Sequence, residues 1–144
     1  MSADDPDISK ITAKNTPRWH IQFPKGRIRA MCTGAYDGDT CTLGFRLAPG
    51  EKPFLHSCRM LGYNSAEMKS KDPEEVATAI RNRDAIAKLI LDKEVDLEID
   101  GVDMYARPLV NVWTRGNAPI HVNMWMIESR NGFPYSGRGE KKWK

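Results

Sequence analysis

Arg27-Ile28-Arg29-Ala30-Met31-Cys32-Thr33-Gly34-Ala35-Tyr36-Asp37-Gly38-Asp39-Thr40 is the stretch on which the fold turns. Its first ten residues alternate partly between apolar and polar, as a half-buried strand does. Asp37-Gly38 is a favoured hairpin dipeptide because both residues tolerate positive φ. Thr40 to Leu47 reads as the returning strand, with Cys41, Leu43, Phe45 and Leu47 on one face and Thr40, Thr42 and Arg46 on the other. Ala48 to Pro53 makes a loop, and Phe54 to Tyr63 reads as a third strand, so short connections impose an antiparallel meander.

Downstream, Asp72-Pro73-Glu74-Glu75 predicts a helix start: Asp72 as N-cap, Pro73 at the first helical position and two acids near the positive end of the dipole. The helix is expected to run to about Asp92, with Val76, Ile80, Ala87 and Ile90 facing inward beside Ala79, Ile86 and Leu91. Val95, Leu97 and Ile99 alternate with acids as a fourth strand ending at Gly101, and Tyr105 to Trp113 reads as a fifth. Pro108 lacks an N–H for a sheet ladder and marks an edge or a bulge there. His121 to Ser129 reads as a short helix, its Met124 and Met126, with Trp125 and Trp113, expected to pack in the core. Three strands, a helix, two strands and a helix fit a mainly β, α+β protein: a five-stranded Greek-key barrel of the OB-fold type with about three helices.

Composition agrees. The chain has 144 residues, 40% apolar and 28% charged, with a formal net charge of +3, which is one domain of ordinary soluble composition. It divides into an N-terminal arm over 1–17, expected to be flexible, a folded domain over 18–137 and a basic tail over 138–144. No apolar run is long enough to cross a membrane as a helix, and the acidic start has no basic, apolar leader pattern, so an intracellular setting is expected. Cys32, Cys41 and Cys58 are odd in number and lack paired spacing, so they read as reduced core thiols rather than as zinc ligands with His56. Residues 130–144 carry Arg130, Arg138, Lys141, Lys142 and Lys144 against Glu140 alone, a segment that attracts polyanions.

Four stretches concentrate groups suited to a phosphodiester: Asp37-Gly38-Asp39-Thr40, Arg59 through Glu67, Met104 through Leu109, and Asn131 through Gly137. His20, His56 and His121 have no partner spacing for catalysis, Ser57 and Ser65 lack a nucleophile elbow, and no Gly-rich phosphate loop exists.

In that order and spacing the chain resembles the staphylococcal nuclease-like, or thermonuclease, family from about Arg27 to Tyr135. The resemblance is carried by the Asp37-Gly38-Asp39-Thr40 hairpin, the Arg59-Met60-Leu61-Gly62-Tyr63-Asn64-Ser65-Ala66-Glu67 segment, the Ala106-Arg107 pair leading the fifth strand and Val122-Asn123 opening the following helix. It implies an OB-type barrel that cleaves DNA and RNA with a calcium ion. By the same resemblance Arg59, Glu67 and Arg107 are the catalytic residues, Asp39, Asn64 and the Ser65 carbonyl hold the metal, and Tyr105 and Tyr135 contact the substrate. Asp37 and Thr40 stand behind the metal site, although Asp37 also suits a purely turn-holding role. Three positions depart from the family pattern: Asn64 replaces an aspartate, Ala66 a proline, and Pro108 a small residue. Asn64 removes one negative charge, so weaker or altered cation binding is expected, although calcium accepts amide oxygens.

The chemistry is coherent without the family. Hydrolysis of a phosphodiester gathers charge on its oxygens, which fixed guanidiniums and a cation stabilise. A glutamate within one water of phosphorus serves as general base. The expected function is a metal (calcium)-dependent nuclease acting on DNA, RNA or both with little sequence preference. The alternatives are an OB-fold module that binds nucleic acid without cutting it and a structural module that uses the barrel as an interaction surface.

Overall fold

Alternation and punctuation in the sequence become a closed barrel. The computed structural model describes residues 5–16 and 22–144; His20 and part of the 1–17 arm lie outside the described residues. Over 5–16 the arm forms one helical turn, α1 (Pro6–Ser9), capped by Asp5 and burying nothing. The barrel strands are β1 (Arg27–Asp37), β2 (Thr40–Phe45), β3 (Phe54–Met60), β5 (Glu94–Val102) and β6 (Pro108–Thr114), in the spatial order β1-β2-β3-β6-β5. β1 to β3 are the expected antiparallel meander, β3 runs parallel to β6, and β5 pairs antiparallel with β1 to close the ring. The fold is therefore mainly β, with three helices among the described residues, consistent with an OB-fold-type barrel. No helix among the described residues is long and apolar enough to cross a membrane.

The inward face carries Cys32, Cys41, Leu43, Phe45, Cys58, Met60, Val95, Leu97, Val110 and Val112, all buried, and the three cysteines are free thiols. α2 (Pro73–Ile90) closes the barrel from one side, with Asp72 accepting the Glu74 N–H and Pro73 at the first turn as expected. Its buried stripe is Ala79, Asn82, Ile86 and Ile90. Ile80, expected inward, is 39% exposed, because the polar Asn82 takes a place in the apolar stripe and rotates it. α3 (Val122–Glu128) buries Val122, Asn123 and Met126, whereas Met124 faces solvent. His56 stacks on Phe45 at 4.1 Å and His121 on Trp113 at 4.9 Å, packing roles rather than catalytic ones.

Three strand boundaries differ from the reading of the sequence. β2 stops at Phe45, short of Leu47. β3 ends at Met60, and Gly62 turns the chain at φ +91°, so that β4 (Tyr63–Asn64) leaves the barrel and pairs with β7 (Phe133–Pro134). The segment Met104 to Arg107 is a tight turn rather than strand: Asp103 captures the N–H groups of Tyr105 and Arg107, both at 2.9 Å. Pro108 then opens β6 beside Val102, just past a register shift, as a residue without an N–H requires.

The parallel β3–β6 seam is narrow, joining Arg59 to Leu109 and Met60 to Val110. Buried Asn123 secures it: its Nδ2 donates to Leu61 O (2.8 Å) and Val110 O (3.0 Å), and its Oδ1 accepts the Val112 N–H (2.9 Å). Val110 O also accepts the Leu61 N–H at 2.9 Å, so Asn123→Ala would take their Asn123 partner from Leu61 O and the Val112 N–H and is expected to cost about 3 kcal/mol. Urea unfolding of the variant against the wild type measures it.

Candidate functional site

The β1–β2 hairpin tip is held against the rest of the molecule by close approach. A Cβ on Gly38 would stand 2.7 Å from the Asn82 Cβ and 2.8 Å from the Ser65 Cβ. Neither Asp37 nor Gly38 has positive φ, so this glycine is required for space and not, as the dipeptide suggested, for left-handed backbone. The fully buried Tyr63 donates its Oη to Gly38 O at 2.6 Å, and burial pushes that phenol well above its ordinary value.

This contact brings Asp39, 6% exposed, to the floor of a cleft of about 430 Å³. Asp37, Asp39, Thr40, Arg59, Asn64, Glu67, Tyr105 and Arg107 line it. Eight of the ten residues singled out in the sequence thus share one cavity. Tyr135 lies in an adjoining recess of about 300 Å³, whose wall of Arg59, Tyr105, Arg107 and Lys141 is common to both. Ser65 is buried beside the cleft and does not line it; its N–H, rather than its carbonyl, meets Asp39 Oδ2 at 2.9 Å.

A chain of polar contacts crosses the floor. Arg107 donates Nη1 to Thr40 Oγ1 (3.5 Å), and Thr40 donates to Asp39 Oδ1 (3.1 Å). Asp39 Oδ2 is ion-paired with Arg59 Nη1, and Arg59 Nη2 donates to Asn64 Oδ1 at 3.2 Å. Arg107 is also fixed from behind by Asp103, which accepts its Nε at 2.7 Å, and lies over the Tyr105 ring at 5.5 Å. Ala106 adopts φ +60° in this turn, a conformation that glycine takes without steric cost. Glu67 is exposed at the rim; its N–H donates to Glu75 Oε2 (3.0 Å), and its carboxylate makes no hydrogen bond or ion pair among the described residues.

The two buried carboxylates titrate in opposite directions. Burial, followed by the charge of Asp39, pushes Asp37 up to about 7. Burial would raise Asp39 as well, but the Arg59 guanidinium and the donated hydrogen bonds outweigh it and hold this carboxyl below the usual range.

Among the described residues no three His, Cys, Asp or Glu side chains converge as a metal-holding group. The donors at this point are Asp39 and Asn64, with Asp37 alongside, an all-oxygen set of the kind calcium takes. Asp39 Oδ2 and Asn64 Oδ1 both bond the Arg59 guanidinium, through Nη1 and Nη2 respectively.

Compared with known proteins, the sequence matches no family model and no curated protein. Four positioning residues escaped the reading of the sequence. Asn82, whose Oδ1 accepts the Ala66 N–H at 3.2 Å, betrays itself only as a polar residue within a helical apolar stripe. Tyr63 and Asp103 carry no such signal, and Lys141 stands out only as one base among several in a tail that attracts polyanions.

The Asp37 shift makes stability depend on pH. Between its ordinary 3.8 and about 7 the folded state holds a proton that the unfolded chain releases, so this group's contribution to stability falls as pH rises through that window. Asp39, lowered, acts with the opposite sign: its stabilisation is present above the ordinary carboxylate range and is lost as pH falls through its depressed value. Asp37→Asn keeps the acceptor for the Asp39 N–H and removes the titration. In urea unfolding with chelator present, it should be more stable than the wild type by about 4 kcal/mol at pH 8, the gain vanishing near pH 4.

Proposed function

We propose that the protein is a phosphodiesterase that hydrolyses nucleic-acid strands with little regard to sequence, assisted by a calcium ion. The observation that carries this reading is the meeting of Arg59, Arg107, Glu67 and Asp39 around one open cleft, although they come from four separate stretches of the chain. Two guanidiniums facing a common space are the group of choice for the oxygens of a phosphodiester, since each offers a planar fork and stays charged.

Arg107 uses Nε and Nη1 in its contacts with Asp103 and Thr40, which leaves Nη2 for a phosphate oxygen. Arg59 is committed to Asp39 and Asn64, and it reaches a phosphate by exchanging one of these partners for it. Glu67, exposed and unpaired at the rim, is the carboxylate available to take a proton from an attacking water. Tyr105, 72% exposed beside Arg107, and Tyr135 in the recess offer ring faces to the bases on either side of the cleaved bond. Asp39 and Asn64, with Asp37 behind them, would hold the calcium ion. When bound, the ion supplies positive charge to a non-bridging phosphate oxygen and lowers the pKa of a coordinated water. Contacts of this kind read the backbone, hence the lack of sequence preference.

A second reading, an OB-fold-type module that binds nucleic acid without cutting it, is favoured by one observation: Arg59 already fills the place between Asp39 and Asn64. Incubation with labelled single-stranded DNA separates the two. Cutting is expected with calcium and not with chelator, and Glu67→Gln should slow it by about two to four decades while binding persists. Binding without cleavage in calcium, magnesium or manganese selects the second reading, and equal cutting by wild type and Glu67→Gln rejects the first.

A further inference from the structure

The amide at position 64 does something a carboxylate there could not. Its Oδ1 accepts from Arg59 Nη2, and its Nδ2 donates to the backbone carbonyl of Lys142, both at 3.2 Å. An aspartate would present an anion to that carbonyl and repel it. The two neighbours also fix which way the amide points, because a guanidinium only donates and a carbonyl only accepts.

The path of the chain makes this contact a deliberate return. Residues Phe133–Pro134 pair with Tyr63–Asn64, and the Tyr135 N–H donates to Gly62 O at 2.9 Å. Beyond that tie, Gly137 and Gly139 both adopt left-handed backbone, at φ +93° and +88°, and between them turn the segment back across the cleft. Lys141 then lines both the cleft and the Tyr135 recess, at the boundary between them. Trp143 is half-buried, and Lys144 stands 3.6 Å from Glu74 on α2.

We propose that Asn64 is the anchor of the 138–144 segment and that the anchored segment makes Lys141 a substrate-binding residue. Lys141 contacts a phosphate of a nucleic-acid strand next to the one held by Arg59 and Arg107. In this chain position 64 joins the basic 138–144 segment to the cleft, so the positive charge of that segment is delivered at a fixed point. The identity of the ligand rests on the function proposed above; the anchoring does not.

The test uses the full chain and fluorescein-labelled dT10 with chelator present, so that binding is read without cleavage. Lys141→Ala should weaken binding about fivefold at low salt and reduce the slope of log affinity against log salt by about 0.7, one phosphate contact on a single strand. Lys142→Ala removes the same charge from a side chain outside the cleft and should weaken binding less than twofold. Ending the chain after Gly137 should weaken it at least as much as Lys141→Ala. Asn64→Asp should release the segment, so that trypsin cuts after Arg138, Lys141 and Lys142 several-fold faster. If Asn64→Asp does not fold, Gly139→Val at an exposed left-handed position should release it likewise.

Equal losses for Lys141→Ala and Lys142→Ala would overturn the placed contact, as would tighter binding by the shortened chain. Unchanged trypsin cleavage in the released variants would overturn the anchor. A wild type that ignores dT10 rejects the nucleic-acid ligand, and the assignment of Lys141 with it. Binding with the expected losses but no cleavage in calcium sinks the hydrolytic reading alone.

Discussion

A carboxylate taken out of water costs several kcal/mol unless donors replace its hydration. Asp39 is in that position, and it obtains its donors from three separate places: the Thr40 hydroxyl on β2, the Arg59 guanidinium on β3 and the Ser65 N–H after β4. The requirement works as a geometric clamp. The hairpin tip can bury its carboxylate only where the end of β3 and the loop behind it arrive together. Gly38 permits that meeting because nothing larger fits between Asn82 and Ser65. The floor of the cleft, with Thr40 and Arg59 on it, is therefore a consequence of satisfying one buried anion.

The barrel was readable because its strands obey the period of two and its helices begin with recognisable caps. Cys41, Leu43 and Phe45 alternate with Thr42 and Gly44, and Asp72-Pro73 marks the start of α2, features that depend on neighbours in sequence alone. Two of the misreadings share one cause, a polar side chain bonding to distant or local backbone. Asn82 displaced Ile80 from the inward stripe because the Ala66 N–H needed a buried acceptor. Asp103 turned Met104 to Arg107 into a loop by capturing two N–H groups that a strand would have spent on its ladder. The parallel β3–β6 seam depends on Asn123 reaching across from α3, a contact with no trace in local pattern.

The site divides along the same line. Residues that sit in motifs of the resembled family, such as Arg59, Glu67 and Arg107, could be picked out from the sequence by that resemblance. Those that act by position could not. Tyr63 has the look of an ordinary core aromatic, yet its hydroxyl holds the hairpin tip. Lys141 has the look of any lysine of a solvated tail until Gly137 and Gly139 turn it back. Ser65, given a metal-ligating carbonyl by resemblance, also supports Asp39 through its N–H, a role that no motif announces.

Charge accounting in the cleft explains why a third cation would matter there. Arg59 is offset by Asp39 and Arg107 by Asp103, pairs that hold each guanidinium in one rotamer so that little side-chain entropy is left to lose on binding. The same pairs weaken the field each arginine projects into the cavity, since a nearby anion cancels most of it at a distance. Asp37 and Glu67 add to the negative side, although Asp37, pushed up to about 7, is partly neutral at physiological pH. Preorganised but neutralised arginines give geometry and little long-range attraction. A polyanion approaching this face would then be drawn by cations without a carboxylate partner in the cleft, and Lys141, set where the cleft joins the recess, is such a cation.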